Sequence, residues 1–191
     1  MASGLRERKR RAMMRTIQEV ALDLFDARSF SQVSVEEIAA AAEVSPSSVY
    51  RYFGTKEGII LADDFDALTD DELADVIDPD DLVGVVRAIA SRFDPTFNGE
   101  PGGDSLGLRR VRYFFDEPSV RRASYETLAN AVARISQTLA DKSNLTASEA
   151  HVASSALVFG YFAALEQWHR NPADNPIGDT LRRALDALRL L

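Results

Sequence analysis

Apolar side chains recur every three or four positions along most of this chain of 191 residues, which is the spacing of amphipathic α-helices. The first run, with apolar residues at 14, 17, 21, 24 and 25, predicts a helix over about 5–28. Ser34, followed three residues later by Glu37, forms a capping-box pattern that opens a second helix, "VEEIAAAAE". A third, short helix is predicted over 46–53, between Pro46 and Gly54.

The same spacing continues through the rest of the chain. A fourth helix is predicted from Thr55 to about 75, and "DPDD" at 78–81 separates it from a helix that carries Val83, Val86, Ile89 and Phe93 on one side. A long loop, "DPTFNGEPGGDS", precedes helices at about 105–115, 118–142, 147–170 and 177–190. No sustained period-two run interrupts them. The sequence therefore predicts an all-α protein of about nine helices.

Charge is distributed unevenly along the chain, whose net charge is −8. Residues 1–60 hold nine basic and eight acidic side chains, whereas residues 61–191 hold thirteen and twenty-two. Six of the basic side chains fall within residues 6–15. Such a run can be a solvated tail or an arm that follows nucleic acid.

There is no cysteine and no apolar stretch of about 20 residues, so we expect a cytoplasmic protein without disulfides, thiolate metal sites or a membrane span.

The short third helix carries an unusual concentration of hydrogen-bond donors. These groups, suited to phosphate oxygens and base edges, are Ser45, Ser47, Ser48, Tyr50, Tyr52 and Lys56. Apolar residues nearby (Ile38, Ala39, Val44, Val49 and Phe53) are expected to fill a small core beneath. Three helices with a four-residue turn between the last two favour a helix-turn-helix, although other three-helix bundles share this geometry.

The segment "SVEEIAAAAEVSPSSVYRYFGTKEGI" resembles the TetR family of bacterial transcriptional regulators over about residues 8–60. The matching positions are Val35, Ile38, Ala39, Ala42, Val44, Ser45, Tyr50, Tyr52, Phe53 and Lys56, with Ser34 and Ser48 in place of the usual threonines. Two positions depart from the family: Ser29 and Glu43 stand where glycine is usual. If Glu43 adopts a positive φ, it costs on the order of 1 kcal/mol.

The resemblance implies specific roles for residues of this chain. Ser34, Ser45, Ser47, Tyr50, Tyr52 and Lys56 would hold the DNA backbone, while Ser48, Val49 and Arg51 would lie nearer the bases. The basic residues Arg6, Arg8, Lys9, Arg10 and Arg11 would form an arm in the groove. It also implies a DNA-binding domain over 1–54 and a helical ligand-binding and dimerisation domain over 55–191.

The last two helices have the composition of a dimer interface. Helix 147–170 carries a stripe of small residues that permits close approach of helices: Ala153, Ala156, Gly160, Ala163 and Ala164. The final helix presents Leu181, Leu185 and Leu188 on one face. We expect a homodimer that reads a near-palindromic operator. The alternative is that both helices pack only within one subunit.

The middle helices carry more large apolar residues than a plain scaffold needs, which suggests a pocket for a small effector. Its predicted lining is Phe65, Val86, Ile89, Phe93, Phe97, Leu108, Arg112, Tyr113, Phe114, Tyr125, Leu128, Val132 and Trp168. Five arginines within 109–122 would suit an anionic head group, and "LRRVRYFFDEPSVRRASYE" loosely resembles family members that respond to fatty acyl-CoA. An ordinary hydrophobic core is the competing interpretation.

The function expected from these patterns is a ligand-released transcriptional repressor. A constitutive DNA-binding protein of the same fold is one alternative, and a helical enzyme is another. The enzyme reading has little to support it: His151 and His169 are the two histidines, and neither a phosphate-binding glycine loop nor a Ser-His-Asp set is present. No cofactor, catalytic residue or metal ligand is predicted.

Overall fold

The computed structural model describes residues 2–62, 68–81, 84, 106–171 and 177–188, apart from the side chains of 2–7, 108, 177, 178, 181, 182, 185 and 188. This part of the chain contains nine α-helices and no strand, so the all-α prediction is confirmed. The helices are α1 Ala2–Arg28, α2 Val35–Ala41, α3 Pro46–Phe53, α4 Lys56–Leu61, α5 Asp70–Val76, α6 Leu106–Asp116, α7 Pro118–Lys142, α8 Ala147–Arg170 and α9 Ile177–Leu188.

One predicted helix is wrong. The fourth was expected to continue to about residue 75, but α4 ends at Leu61 because Ala62 adopts an extended ψ of 127°. A separate helix, α5, begins at Asp70, where the Thr69 hydroxyl and the Glu72 carboxylate form a capping box. The predicted helix with Val83, Val86, Ile89 and Phe93, and the loop at 94–105, lie outside the described residues.

Two main hydrophobic clusters organise the described helices. The first joins α1 to α4 around Phe25, Ile38 and Ile59, and it also takes in Tyr113 of α6 and Val120 of α7. It therefore crosses the predicted domain boundary at 54/55, which stays a prediction. The second cluster packs α5 and α7 against α8, and it contains Leu68, Leu73, Ile77, Val132, Ile135, Leu139, Ala150 and Val158. A smaller cluster joins α6 to α8 through Val111, Ala164 and Leu165.

The short helix α4 is held at its C-terminal end by two side chains from other helices. The buried Gln18 amide of α1 donates to the carbonyls of Ile59 and Ala62, at 2.9 and 2.8 Å. From α6, the Arg110 guanidinium donates to the carbonyls of Ile60 and Leu61, at 2.5 and 3.0 Å. The last carbonyls of a helix have no partner within it, so these four bonds satisfy groups that would otherwise be unpaired. We call this arrangement the α4 clamp.

The α4 clamp predicts an unequal effect of two glutamine substitutions. Gln18→Ala should lower the free energy of unfolding by about 1–3 kcal/mol, because it leaves two shielded carbonyls without a donor. Gln137→Ala is the matched control, since the Gln137 amide is exposed and its partner among the described residues is Asp141, one turn away. It should change stability by less than about 0.5 kcal/mol. Chemical denaturation of both variants tests this, and equal effects would contradict a role for Gln18 in holding α4.

Candidate nucleic-acid interface

Helix α3 has one buried face and one exposed face. Ser45 is its N-cap, Pro46 occupies the first turn, and Gly54 ends the helix with a φ of 72°. Val49 and Phe53 point into the core, whereas Ser47, Tyr50 and Arg51 are exposed. Val49 has only 1% of its surface exposed, so its predicted place near the bases is wrong: half a turn from Arg51, it belongs to the face that holds α3 on the core.

The hydroxyl groups at the start of α3 form a connected set. Ser45 Oγ lies 2.9 Å from both Ser47 Oγ and Ser48 Oγ, and it accepts the Ser48 backbone N–H at 3.2 Å. The Arg51 guanidinium reaches Ser48 Oγ at 3.4 Å and lies over the Tyr52 ring, 5.0 Å from its centroid. Tyr50 is 48% exposed. This face therefore presents donors for anionic and base-edge acceptors from a helix held rigidly on its other side.

Two turns position α2 and α3, and both contain a non-glycine residue in the left-handed region. Ser29, after α1, has a φ of 81°, and Glu43, between α2 and α3, has a φ of 56°. These are the two positions where the family resemblance places glycine. The condition stated for Glu43 is therefore met, and its positive φ carries the expected conformational cost.

The Ser34 side chain is hydrogen-bonded within the cap of its own helix, α2. Its hydroxyl accepts the Glu37 N–H at 3.2 Å and donates to Glu37 Oε2 at 3.1 Å, while Arg28 contacts the other carboxylate oxygen. The Ser34 backbone N–H, the Arg28 guanidinium and the Ser34 hydroxyl together lower the pKa of Glu37 to about 2. A DNA contact by the Ser34 hydroxyl would have to replace its bond to Glu37, and that contact stays a prediction.

Lys56 has internal partners that the sequence did not reveal. Its ammonium donates to the carbonyls of Phe30 and Val33, at 2.9 and 3.0 Å, and lies 4.4 Å from the centroid of the Phe30 ring. These contacts hold the loop between α1 and α2 against the start of α4. The expectation that Lys56 acts chiefly as a charge for the DNA backbone is therefore revised: two carbonyls of this chain already fix its position.

The basic segment lies within α1, which begins at Ala2. Arg8 and Lys9 are exposed, Arg10 and Arg11 are partly buried, and the side chain of Arg6 lies outside the described residues. Because it is part of a continuous helix, this segment is not an extended arm, and its consecutive basic side chains are spread around the helix axis.

An acidic and aromatic contact joins α1 to α6, and we call it the Asp26 junction. Arg109 bonds Asp23 at 2.7 Å and Asp26 at 2.8 Å, while Arg112 and the Tyr113 hydroxyl also bond Asp26. Burial raises the pKa of the Asp26 carboxyl, but the Tyr113 hydroxyl and the two guanidiniums outweigh burial and leave that pKa below its ordinary value. Burial and the Asp26 contact raise the pKa of Tyr113 to about 12.

The Asp26 junction corrects part of the predicted effector pocket. Arg112 and Tyr113 were expected to line it, but they are turned toward α1, and the Tyr113 ring packs on Phe25 and Phe30 at centroid distances of 5.8 and 6.4 Å. The sequence contained one signal of this contact, because Asp23 and Asp26 lie three residues apart on one face of α1.

Other predicted pocket residues pack either in the hydrophobic clusters or in a separate aromatic group. Val132 is buried in the second cluster, with Leu128 packed against it, and Trp168 packs against the third. Phe114 and Tyr125 both contact Phe162, at 6.5 and 6.3 Å between ring centroids, in an aromatic group that also includes Phe115. Phe65, Val86, Ile89, Phe93 and Phe97, and the side chain of Leu108, lie outside the described residues.

The predicted small-residue stripe of α8 does not form a single face. Ala164 is buried beside Val111 and Leu165, and Ala153 packs against the second cluster. The face that α8 leaves exposed carries Val152, Ala156, Phe159 and Ala163, at helical spacing. Gly160 is partly buried, and the side chains of Leu181, Leu185 and Leu188 lie outside the described residues.

Within the described ranges, the structure offers neither a metal-binding cluster nor a membrane-spanning helix. There, no group of three His, Asp or Glu side chains is placed to hold a metal ion. Among the same residues, no helix is both long enough and apolar enough to cross a lipid bilayer. His169 instead makes a 2.8 Å contact with Asp116 and stacks on Phe115.

Comparison with known proteins places this geometry in a family. Residues 17–62 match the family model described as bacterial regulatory proteins, tetR family, and residues 82–190 match the model of the MftR C-terminal domain. The chain belongs to the TetR family. Helices α2 and α3 are the two helices of the family's helix-turn-helix motif.

Individual relatives are similar over shorter stretches. TcmR, an HTH-type transcriptional regulator of Streptomyces glaucescens, is 41% identical over 58 residues, which are 30% of this chain and 26% of TcmR. EthR, an HTH-type transcriptional regulator of Mycolicibacterium smegmatis, is 26% identical over 120 residues, which are 60% of this chain and 47% of EthR. The matches thus span less than half of either relative.

Solved structures share the fold over nearly the whole chain. NalD, the secondary repressor of the MexAB-OprM multidrug efflux pump in Pseudomonas aeruginosa, superposes with a TM-score of 0.56 at 17% identity, covering 94% of this chain and 96% of NalD. FadR of Thermus thermophilus, a repressor solved in complex with lauroyl-CoA, superposes with a TM-score of 0.54 at 21% identity, covering 92% and 93%.

The contacts of Lys56 predict a stability effect in the absence of DNA. Lys56→Ala should lower the free energy of unfolding by about 1–3 kcal/mol, because the Phe30 and Val33 carbonyls lose a charged donor. Lys9→Ala, which changes an exposed lysine of α1, should leave stability within about 0.5 kcal/mol. Denaturation of both variants is the measurement. If Lys56→Ala kept full stability and only lowered the salt dependence of DNA binding, the main role of the Lys56 side chain would be a phosphate contact instead.

Proposed function

We propose that this TetR-family regulator is a homodimeric repressor that binds a near-palindromic operator through α3 and leaves it when a small apolar effector binds. The observation that carries the DNA-binding part is the division of α3 into a buried face and an exposed face of donors. A helix fixed through Val49 and Phe53 can enter a major groove without rearranging its core.

The exposed side chains of α3 suggest separate contacts to the bases and to the phosphates of DNA. Arg51 is long, charged and exposed beside Ser48, so it is the residue we assign to base edges. Ser47 and Tyr50 are exposed on the same helix and are assigned to phosphates, which position the protein without reading sequence. Arg8 and Lys9 on α1 would add sequence-independent attraction.

Dimerisation is proposed to use the exposed face of α8. Val152, Ala156, Phe159 and Ala163 form an apolar row with two small residues in it, which permits a second helix to approach closely. Helix α9 packs beside α8 and would extend the contact. A two-fold pairing along these helices would set two copies of α3 at the spacing of operator half-sites.

The effector is proposed to bind among α6, α7 and α8, where aromatic residues are concentrated. Phe114, Phe115, Phe162 and Tyr125 contact one another between these helices. Long-chain acyl-CoAs and free fatty acids are the class to test, supported by the lauroyl-CoA complex of Thermus FadR, whose fold this chain shares. The head group would not use Arg109, Arg110 or Arg112, because Asp23, Asp26 and the α4 carbonyls bind them.

The α4 clamp offers a physical route from that region to α3. Arg110 belongs to α6 and holds carbonyls of α4, and α4 packs on α1 and follows α3 directly. An effector that bound preferentially to a shifted α6 would therefore move α4 and the helices attached to it. The change in operator affinity can be no larger than the effector's preference for the shifted state.

DNA binding is tested with the promoter region of the protein's own gene. The protein should bind it specifically, and Tyr50→Phe should weaken binding to all sequences by about tenfold, because one bond to a charged phosphate is lost. Tyr125→Phe is the matched control: Tyr125 is also 48% exposed, but it lies on α7 beside Phe162. Fluorescence anisotropy measures both variants. An equal loss in the two would contradict the assignment of Tyr50 to DNA.

Assembly is tested by placing a charge on the exposed face of α8. Phe159→Glu should convert the dimer to a monomer at micromolar concentration, because an unpaired carboxylate would be buried in the interface. Leu145→Glu alters a similarly exposed apolar residue outside that row, with exposures of 39% and 37%, and should leave the dimer intact. Light scattering reports the mass. A wild-type monomer at this concentration would refute the proposed dimer.

Ligand control is tested by thermal unfolding with acyl-CoAs and fatty acids of increasing chain length. The melting temperature should rise with chain length, because more apolar surface leaves water, and operator affinity should fall in parallel. Coenzyme A without an acyl chain is the control and should do neither. Stabilisation without loss of operator binding would refute ligand release while leaving DNA binding unaffected.

A further inference from the structure

A glycine in the first turn of α4 lies against the last carbonyl group of α3. Gly58 is the third residue of α4, and its backbone N–H donates to the hydroxyl of the Thr55 cap at 3.0 Å. A Cβ on Gly58 would overlap the carbonyl oxygen of Phe53 and would stand 3.0 Å from the carbonyl carbon. Both are backbone atoms, so no change of side-chain rotamer would relieve the overlap.

The Phe53 carbonyl belongs to the turn of α3 that carries the groups assigned to DNA. It accepts the Thr55 N–H at 2.8 Å, and the neighbouring Gly54 N–H donates to the Tyr50 carbonyl at 2.8 Å. Tyr50 and Arg51 lie in the same last turn of the helix. A displacement of the Phe53 peptide would therefore carry both of these exposed side chains with it.

Helix α4 is fixed at both ends and cannot move aside to make room. At its start, the Lys56 ammonium donates to the carbonyls of Phe30 and Val33, and at its end the α4 clamp binds the last carbonyls. Ile59 and Ile60 have no exposed surface. In α3, two of the eight residues are buried. The end of α3 is therefore the part that would yield.

We propose that Gly58 is a positioning residue for operator recognition, because its missing side chain lets α3 end against α4 at the tilt that the groove requires. The inference rests on the reading role assigned to α3 above. A Cβ would displace the end of α3 by about 1 Å or more before ordinary contact distance was reached. Binding groups have to be held within about 0.5 Å of their required positions, so Tyr50 and Arg51 would no longer fit. Through the same contact, α3 follows any movement of α4.

The first test is Gly58→Ala, measured by fluorescence anisotropy on the promoter region and on a shuffled duplex of equal length and composition. Affinity for the promoter should fall by about tenfold or more, because base contacts are lost. Affinity for the shuffled duplex should stay within about twofold, since attraction to phosphates tolerates a small shift. Gly58→Ser carries the same Cβ and should lose as much as Gly58→Ala.

Gly54→Ala is the matched control at the other glycine of this junction. Gly54 has a φ of 72°, and a Cβ there would meet no atom within 4 Å. The variant should lower the melting temperature by about 2–4 °C through its disfavoured φ, with promoter affinity within about twofold. Equal losses of promoter affinity in the two alanine variants, or full promoter affinity in Gly58→Ala, would overturn the proposal.

Amide shifts in NMR, recorded without DNA, show which helix yields. In Gly58→Ala the largest changes should fall in the last turn of α3, while the side-chain amide of Gln18, which reports on the α4 clamp, should keep its shift. Largest changes at Gln18, or complete unfolding in the melting curve, would overturn the proposal, because it requires α4 to stay in place. A wild-type protein that bound both duplexes equally would instead refute the reading role of α3.

Discussion

The position of α4 depends on hydrogen bonds that it cannot make for itself. A helix from Lys56 to Leu61 is too short to be stable alone, and its last carbonyls need donors from elsewhere. Gln18 supplies those donors from α1, and Arg110 supplies them from α6. Helices α1 and α6 are thus joined through a segment whose stability each of them partly provides.

The charged side chains of the Asp26 junction hold α6 against α1 and are bound to each other. The arginines of 109–112 suggested an anionic ligand from sequence, but Asp23, Asp26 and the α4 carbonyls bind the three of them in the structure. Paired charges of this kind fix the relative orientation of two helices more than they add stability. The same contacts place the Tyr113 ring against Phe25, which continues the first cluster into α6.

Local sequence patterns predicted most of the helices, but they did not predict the contacts between residues that are distant in sequence. The capping box at Ser34 and the proline at position 46 gave the starts of α2 and α3, because these signals act within a few residues. The break at Ala62 was missed, since apolar spacing continues across it. The partners of Lys56 lie 26 and 23 residues away in sequence. A periodic pattern of apolar residues does not indicate contacts between residues so far apart.

The two left-handed turns have a consequence for how this regulator could acquire new operators. Ser29 and Glu43 hold conformations that their side chains disfavour, so local preference does not set the angles at which α2 and α3 leave these turns. The bonds of Lys56 to the Phe30 and Val33 carbonyls brace the first turn, and backbone bonds from Glu43 to Ala40 and from Val44 to Ala39 close the second. Substitutions in this small set could tilt α3 while its outward side chains stay the same, so groove fit and base preference can diverge separately during evolution.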